Sequence, residues 1–110
     1  MTAYFNNLSA AVAFDPAAMT KADLARGETL FAGLNCFEPG QSQAVHTHTG
    51  ADKFYLVVSG KARMTVGAET RVAETGSLVF APAGVPHGIA EALERTVLLV
   101  AMAPPPGSRR

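Results

Sequence analysis

The feature that most constrains what this chain can become is its punctuation. From Glu28 onward, turn residues return roughly every 8–12 positions, and the runs between them are too short for helices yet long enough for strands. "ETLFAGLNCF" (28–37), "SQAVHTH" (42–48), "KFYLVVSG" (53–60), "KARMTVG" (61–67), "ETRVAE" (69–74), "SLVFAP" (77–82) and "RTVLLVAMAP" (95–104) each read as a strand. "AGVPHGIAEA" (83–92) opens as a Gly/Pro loop and becomes another. Eight or nine short strands with turns between them predict an all-β sandwich or barrel. A parallel α/β sheet would need crossover helices for which there is no room.

The first 26 residues have a different texture, alanine-rich and irregular. Asp15 before Pro16 suits a helix start, so a short helical turn is expected there. The expected organisation is an N-terminal arm over 1–26, a single barrel over 27–104 and a flexible tail over 105–110. A chain of 110 residues is one domain's worth.

Charge narrows the partners. Nine basic and nine acidic residues cancel, so bulk electrostatics recruits neither nucleic acid nor an anionic membrane. No apolar run approaches the roughly 20 residues that span a bilayer. The N-terminus lacks the basic start and solid apolar core of a signal peptide, so a soluble cytoplasmic protein is expected. The one cysteine, Cys36, has no partner for an internal disulfide and reads as a small buried hydrophobe. Strands apolar on both faces, such as "FYLVV" and "RTVLLVAM", exceed what one small barrel can bury. A two-fold homodimer is therefore expected.

Two of the three histidines, His46 and His48, stand one residue apart. Residues i and i+2 of a strand face the same side, roughly 6.5–7 Å apart, within reach of one metal ion. His87 follows a Gly/Pro loop and can complete a facial set of neutral nitrogen ligands if the barrel closes. A lone histidine is more often a surface or core-edge residue, so the neighbouring spacing must carry the argument.

That spacing is distinctive. Gly40 is followed after five residues by His46, Thr47 and His48, then after four by Lys53, then after six by Gly60. Gly76 is followed after five residues by Pro82, Ala83 and Gly84, then after two by His87, then after three by Glu91. These segments resemble, in order, the two motifs of the cupin family, and together they cover about half the chain. The resemblance implies a double-stranded β-helix, a jelly-roll-like barrel, with one divalent transition metal ion (Fe, Zn, Ni, Cu or Mn) held inside by His46, His48 and His87. Lys53 stands where the first motif has the glutamate that is the family's usual fourth ligand, and Glu91 stands where the second has asparagine. An ammonium has no lone pair to give a metal. Asp52 matches the motif's shorter spacing, but a regular strand turns it away from the histidines unless a bulge shifts the register. Glu91 lies about 13 Å along a strand from His87 and is free to pair with Lys53 or sit at the barrel rim.

Three neutral ligands leave the ion its full charge, which favours an anionic substrate and acidifies bound water. Lys53 is a candidate electrostatic partner for a carboxylate or enolate if it faces the pocket, and a strand-edge charge if it does not. Tyr55 is the other catalytic candidate, against the plainer role of a buried tyrosine. Phe31, Tyr55, Val57, Met64, Phe80, Leu98 and Val100 are candidates for an apolar pocket. Three-histidine iron resembles cupin dioxygenases that lack the glutamate, and three-histidine zinc resembles cupin cyclases and lyases. The reading is a small metalloenzyme acting on an organic acid, diketone or enolisable compound, of dioxygenase, lyase or isomerase type. The alternatives are a non-catalytic cupin module binding a metal or small ligand as sensor or store, and a metal-free barrel with vestigial histidines.

Overall fold

A computed structural model describes residues 3–107. Among these, one short helix, α1 (Leu8–Ala11), precedes nine strands: β1 (Thr20–Arg26), β2 (Phe31–Phe37), β3 (Gln43–His46), β4 (Asp52–Ser59), β5 (Lys61–Val66), β6 (Glu69–Glu74), β7 (Leu78–Ala81), β8 (His87–Ala92) and β9 (Thr96–Ala103). They form two antiparallel sheets, ordered β1-β2-β9-β4-β7 and β3-β8-β5-β6. The sheets face each other as a jelly-roll barrel, the all-β architecture that the turn spacing predicts.

Strand β4 shows why the sheets face as they do. Along "DKFYLVVS", Lys53, Tyr55 and Val57 are buried, and the residues between them are not. The inner positions of β4 and β9 meet Met64, Ile89, Ala62 and Ala92 of the second sheet, forming a core around Tyr55, Leu98 and Phe37. Period-two burial of this kind fixes the register, because a slip of one residue would bury Phe54 and Leu56 and expose Lys53 and Tyr55. At the β4–β5 turn Gly60 has φ +99°, and a Cβ there would meet the Arg95 carbonyl and lie 2.6–2.7 Å from Thr96 atoms. Only glycine fits that close approach.

A second apolar cluster lies outside the larger sheet. Leu34, Cys36 and Val97 turn outward, and Leu8, Val12 and Phe14 cover them. The N-terminal segment is thus a lid on the sheet's outer face, and Cys36 is buried there as expected.

Four expectations need correction. The segment 20–26 is not part of an arm but the edge strand β1, paired antiparallel with β2. No helix follows Asp15; its carboxylate accepts from the Ala17 N–H in a simple turn, and the helix begins earlier, where Asn7 caps it. The start of the tail is held rather than loose: Pro105 is buried, and the Arg26 guanidinium donates to the Pro106 carbonyl. Residues 108–110 of that tail lie outside the described residues. Phe80 points to the outer face and is 54% exposed, so it lines no interior pocket.

Candidate metal centre

The site is assembled by an irregularity. His46 and His87 are paired across β3 and β8, yet Gln43, three residues earlier, pairs with Ile89, two residues later. Two residues, Ala44 and Val45, therefore oppose Gly88 alone, which makes a β-bulge. The bulge shifts side-chain facing by one, so Gln43 and His46 both line the same cavity. Gly88 permits it: a Cβ there would lie 2.9 Å from the Gln43 carbonyl oxygen and from the Val45 backbone. Strand β3 ends at His46, so His48 sits just beyond the strand rather than inside it. Its carbonyl accepts from the Gly84 N–H, which ties it to the loop before His87.

The three imidazoles converge. Ring centroids are 4.7 Å apart for His46 and His48, 4.4 Å for His46 and His87 and 5.3 Å for His48 and His87. One nitrogen from each lies within 4.8 Å of the others. Two nitrogens about 2.05 Å from one tetrahedral ion stand roughly 3.3 Å apart, so binding would draw the three nitrogens closer together.

The hydrogen bonds select the ligating atoms. His46 Nδ1 lies 3.0 Å from the Ala44 carbonyl, and His87 Nδ1 lies 3.0 Å from the Val85 carbonyl. A carbonyl only accepts, so in both rings Nδ1 carries a proton, and in the neutral tautomer this leaves Nε2 as the atom with the lone pair. This outer-sphere pattern orients metal-bound histidines. His87 Nε2 is buried with no hydrogen-bond partner, the sort of orphan a metal satisfies. Burial, with Lys53 and the other two histidines adding to it, pushes the His48 pKa down to about 4. Burial also lowers that of His87, against the Val85 hydrogen bond that raises it. Both rings are neutral at pH 7, the form that binds a cation. The donor set therefore fits a divalent transition ion.

The other candidates fall into place around this trio. Lys53 faces inward, only 7% exposed. Its ammonium stands 4.8 Å from the centroid of the Tyr55 ring, and burial with nearby Lys21 lowers its pKa to about 8. Asp52 turns away: it is exposed, and its carboxylate accepts from the Ala83 N–H. Tyr55 is fully buried beneath the site, 6.2 Å from His87 between ring centroids, its hydroxyl unpartnered. Burial raises its pKa. Glu91 pairs with Arg63 of β5 at 3.1 Å rather than with Lys53.

A cavity of about 360 Å³ opens over His46, His48 and Lys53. Phe31 and Val100 line it as expected, whereas Val57 and Leu98 belong to the core, and Met64 lies between the core and a separate groove. Sequence reasoning missed Lys21, Asn35 and Gln43 in its wall. The signal for Lys21 was present in "TKADLAR", where Ala22 and Leu24 turn to the outer cluster while Lys21 and Asp23 border the cavity. Lysine, alanine and aspartate are poor strand formers, so the alternation did not read as β.

Residues 33–102 match the cupin domain family. A protein of Streptomyces coelicolor described as uncharacterized is 38% identical over 80 residues, covering 73% of this chain and 75% of its own. Among solved structures, TT1209 from Thermus thermophilus is 36% identical with a TM-score of 0.86, covering 93% of this chain and 98% of that one. An RmlC-like cupin protein from Desulfovibrio desulfuricans is 28% identical with a TM-score of 0.84, covering 94% and 98%. KdgF from Halomonas sp., 24% identical with a TM-score of 0.78 over 83% of each chain, shares the fold.

Proposed function

This chain belongs to the cupin family, and on that premise we propose that it is a small metalloenzyme with one divalent transition metal ion on His46, His48 and His87. Its substrate is a small organic acid, diketone or enolisable compound, and its reaction is of dioxygenase, lyase or isomerase type. The observation that carries the reading is the pair of Nδ1–H donations to the carbonyls of Ala44 and Val85, which reserves Nε2 of each ring for a ligand close beside the His48 ring. An ion held there would supply Lewis-acid polarisation of a bound oxygen, or redox chemistry if it is iron. The protein's own part is to position and to stabilise. Lys53 offers a fixed positive charge to a carboxylate or developing enolate. Phe31 and Val100 give the carbon skeleton an apolar wall. Tyr55, closed off below, supports the Lys53 ammonium through its ring face.

The proposal extends to a homodimer in the cytoplasm. Cys36, a single unpaired thiol, suits a reducing compartment. No helix among the described residues is long and apolar enough to cross a membrane.

Metal content per subunit by mass spectrometry, on tag-free protein beside His46→Ala and His87→Ala, tests the site. About one equivalent in the wild type that disappears in both variants is expected. Less than about a tenth of an equivalent, with no uptake of added Fe, Zn, Ni, Cu or Mn, would sink the metal reading. Retained metal without turnover of any oxo acid or diketone would favour the non-catalytic binding module.

A further inference from the structure

We propose that the cavity takes a small carboxylate with a hydrocarbon tail, its anionic end held between Lys53 and Lys21, so that the ligand supplies the negative charge this pocket lacks. The inference rests on the reading of this cavity as the functional pocket and narrows its substrate to the organic acids.

The case starts from an unpaired buried charge. Lys53 is 7% exposed, and no carboxylate among the described residues lies within ion-pairing distance of it. The ion pairs there belong to Lys61, Arg63, Arg71 and Arg95. Its described contact is the Tyr55 ring, which attracts a cation but does not neutralise it. A second ammonium compounds the cost. Lys21 lines the same cavity from β1 and is near enough to be felt as repulsion at Lys53. Burying a charge without a partner is expensive, and converging like charges add to the expense. Folding does not need this arrangement, since a methionine at position 53 would pack the same wall.

The two remaining charged residues of the wall do not cancel the excess. Asp23 is exposed on β1 and forms no ion pair with either lysine. Arg26 spends a guanidinium nitrogen on the Pro106 carbonyl. Apart from its histidines the wall carries two lysines and one arginine against one aspartate, and a bound divalent ion would raise that further. A small anion entering here meets focused positive potential from a low-dielectric floor.

The other walls choose the kind of anion. Phe31, Val100 and Met102 make one side apolar. The Phe31 ring packs close over Gly33, which has no side chain to block it; a Cβ there would lie 2.9 Å from the ring. Inorganic phosphate has nothing to offer such a surface. A carboxylate on a short carbon chain satisfies both ends of a cavity of about 360 Å³.

The test is an amide NMR titration with 3-methyl-2-oxobutanoate and isovalerate, against isovaleramide as neutral isostere and inorganic phosphate as bare anion. Each is run on metal-stripped and metal-reconstituted protein. Both acids should bind in both preparations, at least about tenfold tighter than the amide, the usual weight of one charge-assisted contact. Lys53→Met should lose about tenfold, Lys21→Met a smaller factor, and Lys53→Arg should keep most of the affinity. Lys61→Met, at a half-buried lysine outside the cavity whose ammonium pairs with Glu94, should change nothing. Equal binding of acid and amide, or full affinity in Lys53→Met, would overturn the proposal. Displacement of the acids by phosphate at lower concentration would overturn the carboxylate assignment. The acid-to-amide ratio on wild-type protein decides the matter even if a variant misfolds. Acid binding that persists in stripped protein which takes up no metal would remove the metal reading alone. Metal uptake without acid binding would remove this one alone.

Discussion

Two residues near the trio carry consequences out of proportion to their size. Gly88 has no side chain, and that absence lets β3 bulge against β8 and bring His46 beside His87. Gly88→Ala should push β3 outward while leaving the rest of the barrel folded. Metal affinity in a chelator competition should fall by about tenfold or more, the scale of a lost supporting contact, with an unchanged far-ultraviolet circular dichroism spectrum. Unchanged affinity would mean that the bulge does not set the histidine spacing. Lys53 shows itself through pH instead. Its folded pKa, about 8, lies below the ordinary 10.5 because burial and then Lys21 disfavour the ammonium. Between those values the unfolded chain binds more protons than the folded one, so stability rises with pH across that window. The difference in urea midpoint between wild type and Lys53→Met should therefore shift in favour of wild type from pH 8 to pH 10. It should be level between pH 6 and 7. A difference that does not move would show that the amine is solvated rather than buried.

At the scale of elements, the N-terminal segment does more than the sequence suggests. Leu8, Val12 and Phe14 seal Leu34, Cys36 and Val97. Arg95 stacks over the Phe14 ring at 4.4 Å and clasps Glu38 through two bonds of 2.7 and 3.0 Å. Cys36 is the chain's one thiol, so it reports on this cover directly. Phe14→Ala should accelerate its reaction with a thiol reagent by about tenfold or more, because labelling follows local opening when reclosing is fast. An unchanged rate would mean that reagents reach Cys36 by another route. What was legible in the sequence follows the same lines. The histidines, glycine turns and strands from β2 onward stood out because a His-x-His pair at motif spacing, positive φ and β-branched runs restrict residue choice. The inward direction of Lys53 follows from sharing parity with Tyr55 and Val57, once a buried face is known. Strand β1 did not stand out, because its residues are weak strand formers held in place by pairing with β2 and by the cover over Ala22 and Leu24. Phe80 was misplaced because direction on a four-residue strand depends on register. Tyr55 faces Val79 and Phe54 faces Phe80, and that pairing is a tertiary fact.

The whole molecule is asymmetric in how it covers the outer face of its larger sheet. The N-terminal segment closes the β2–β9 half. Over β4 and β7 the face carries Phe54, Leu56, Leu78 and Phe80 in paired register, with Leu78 and Phe80 more than half exposed. Aromatic and aliphatic cross-strand pairs of this sort belong against another surface. The chain has no net charge to select an oppositely charged partner, so a second copy laying the same strip against its own, by a two-fold axis, satisfies the patch with the fewest assumptions. Phe80→Lys and Leu78→Lys place like charges across that axis and should convert a dimer into a monomer in light scattering at micromolar concentration. Neither residue touches the histidine cavity, so metal content should stay the same. A wild-type chain that elutes as a monomer would refute the dimer. A dimer that both lysine variants leave intact would move the interface elsewhere.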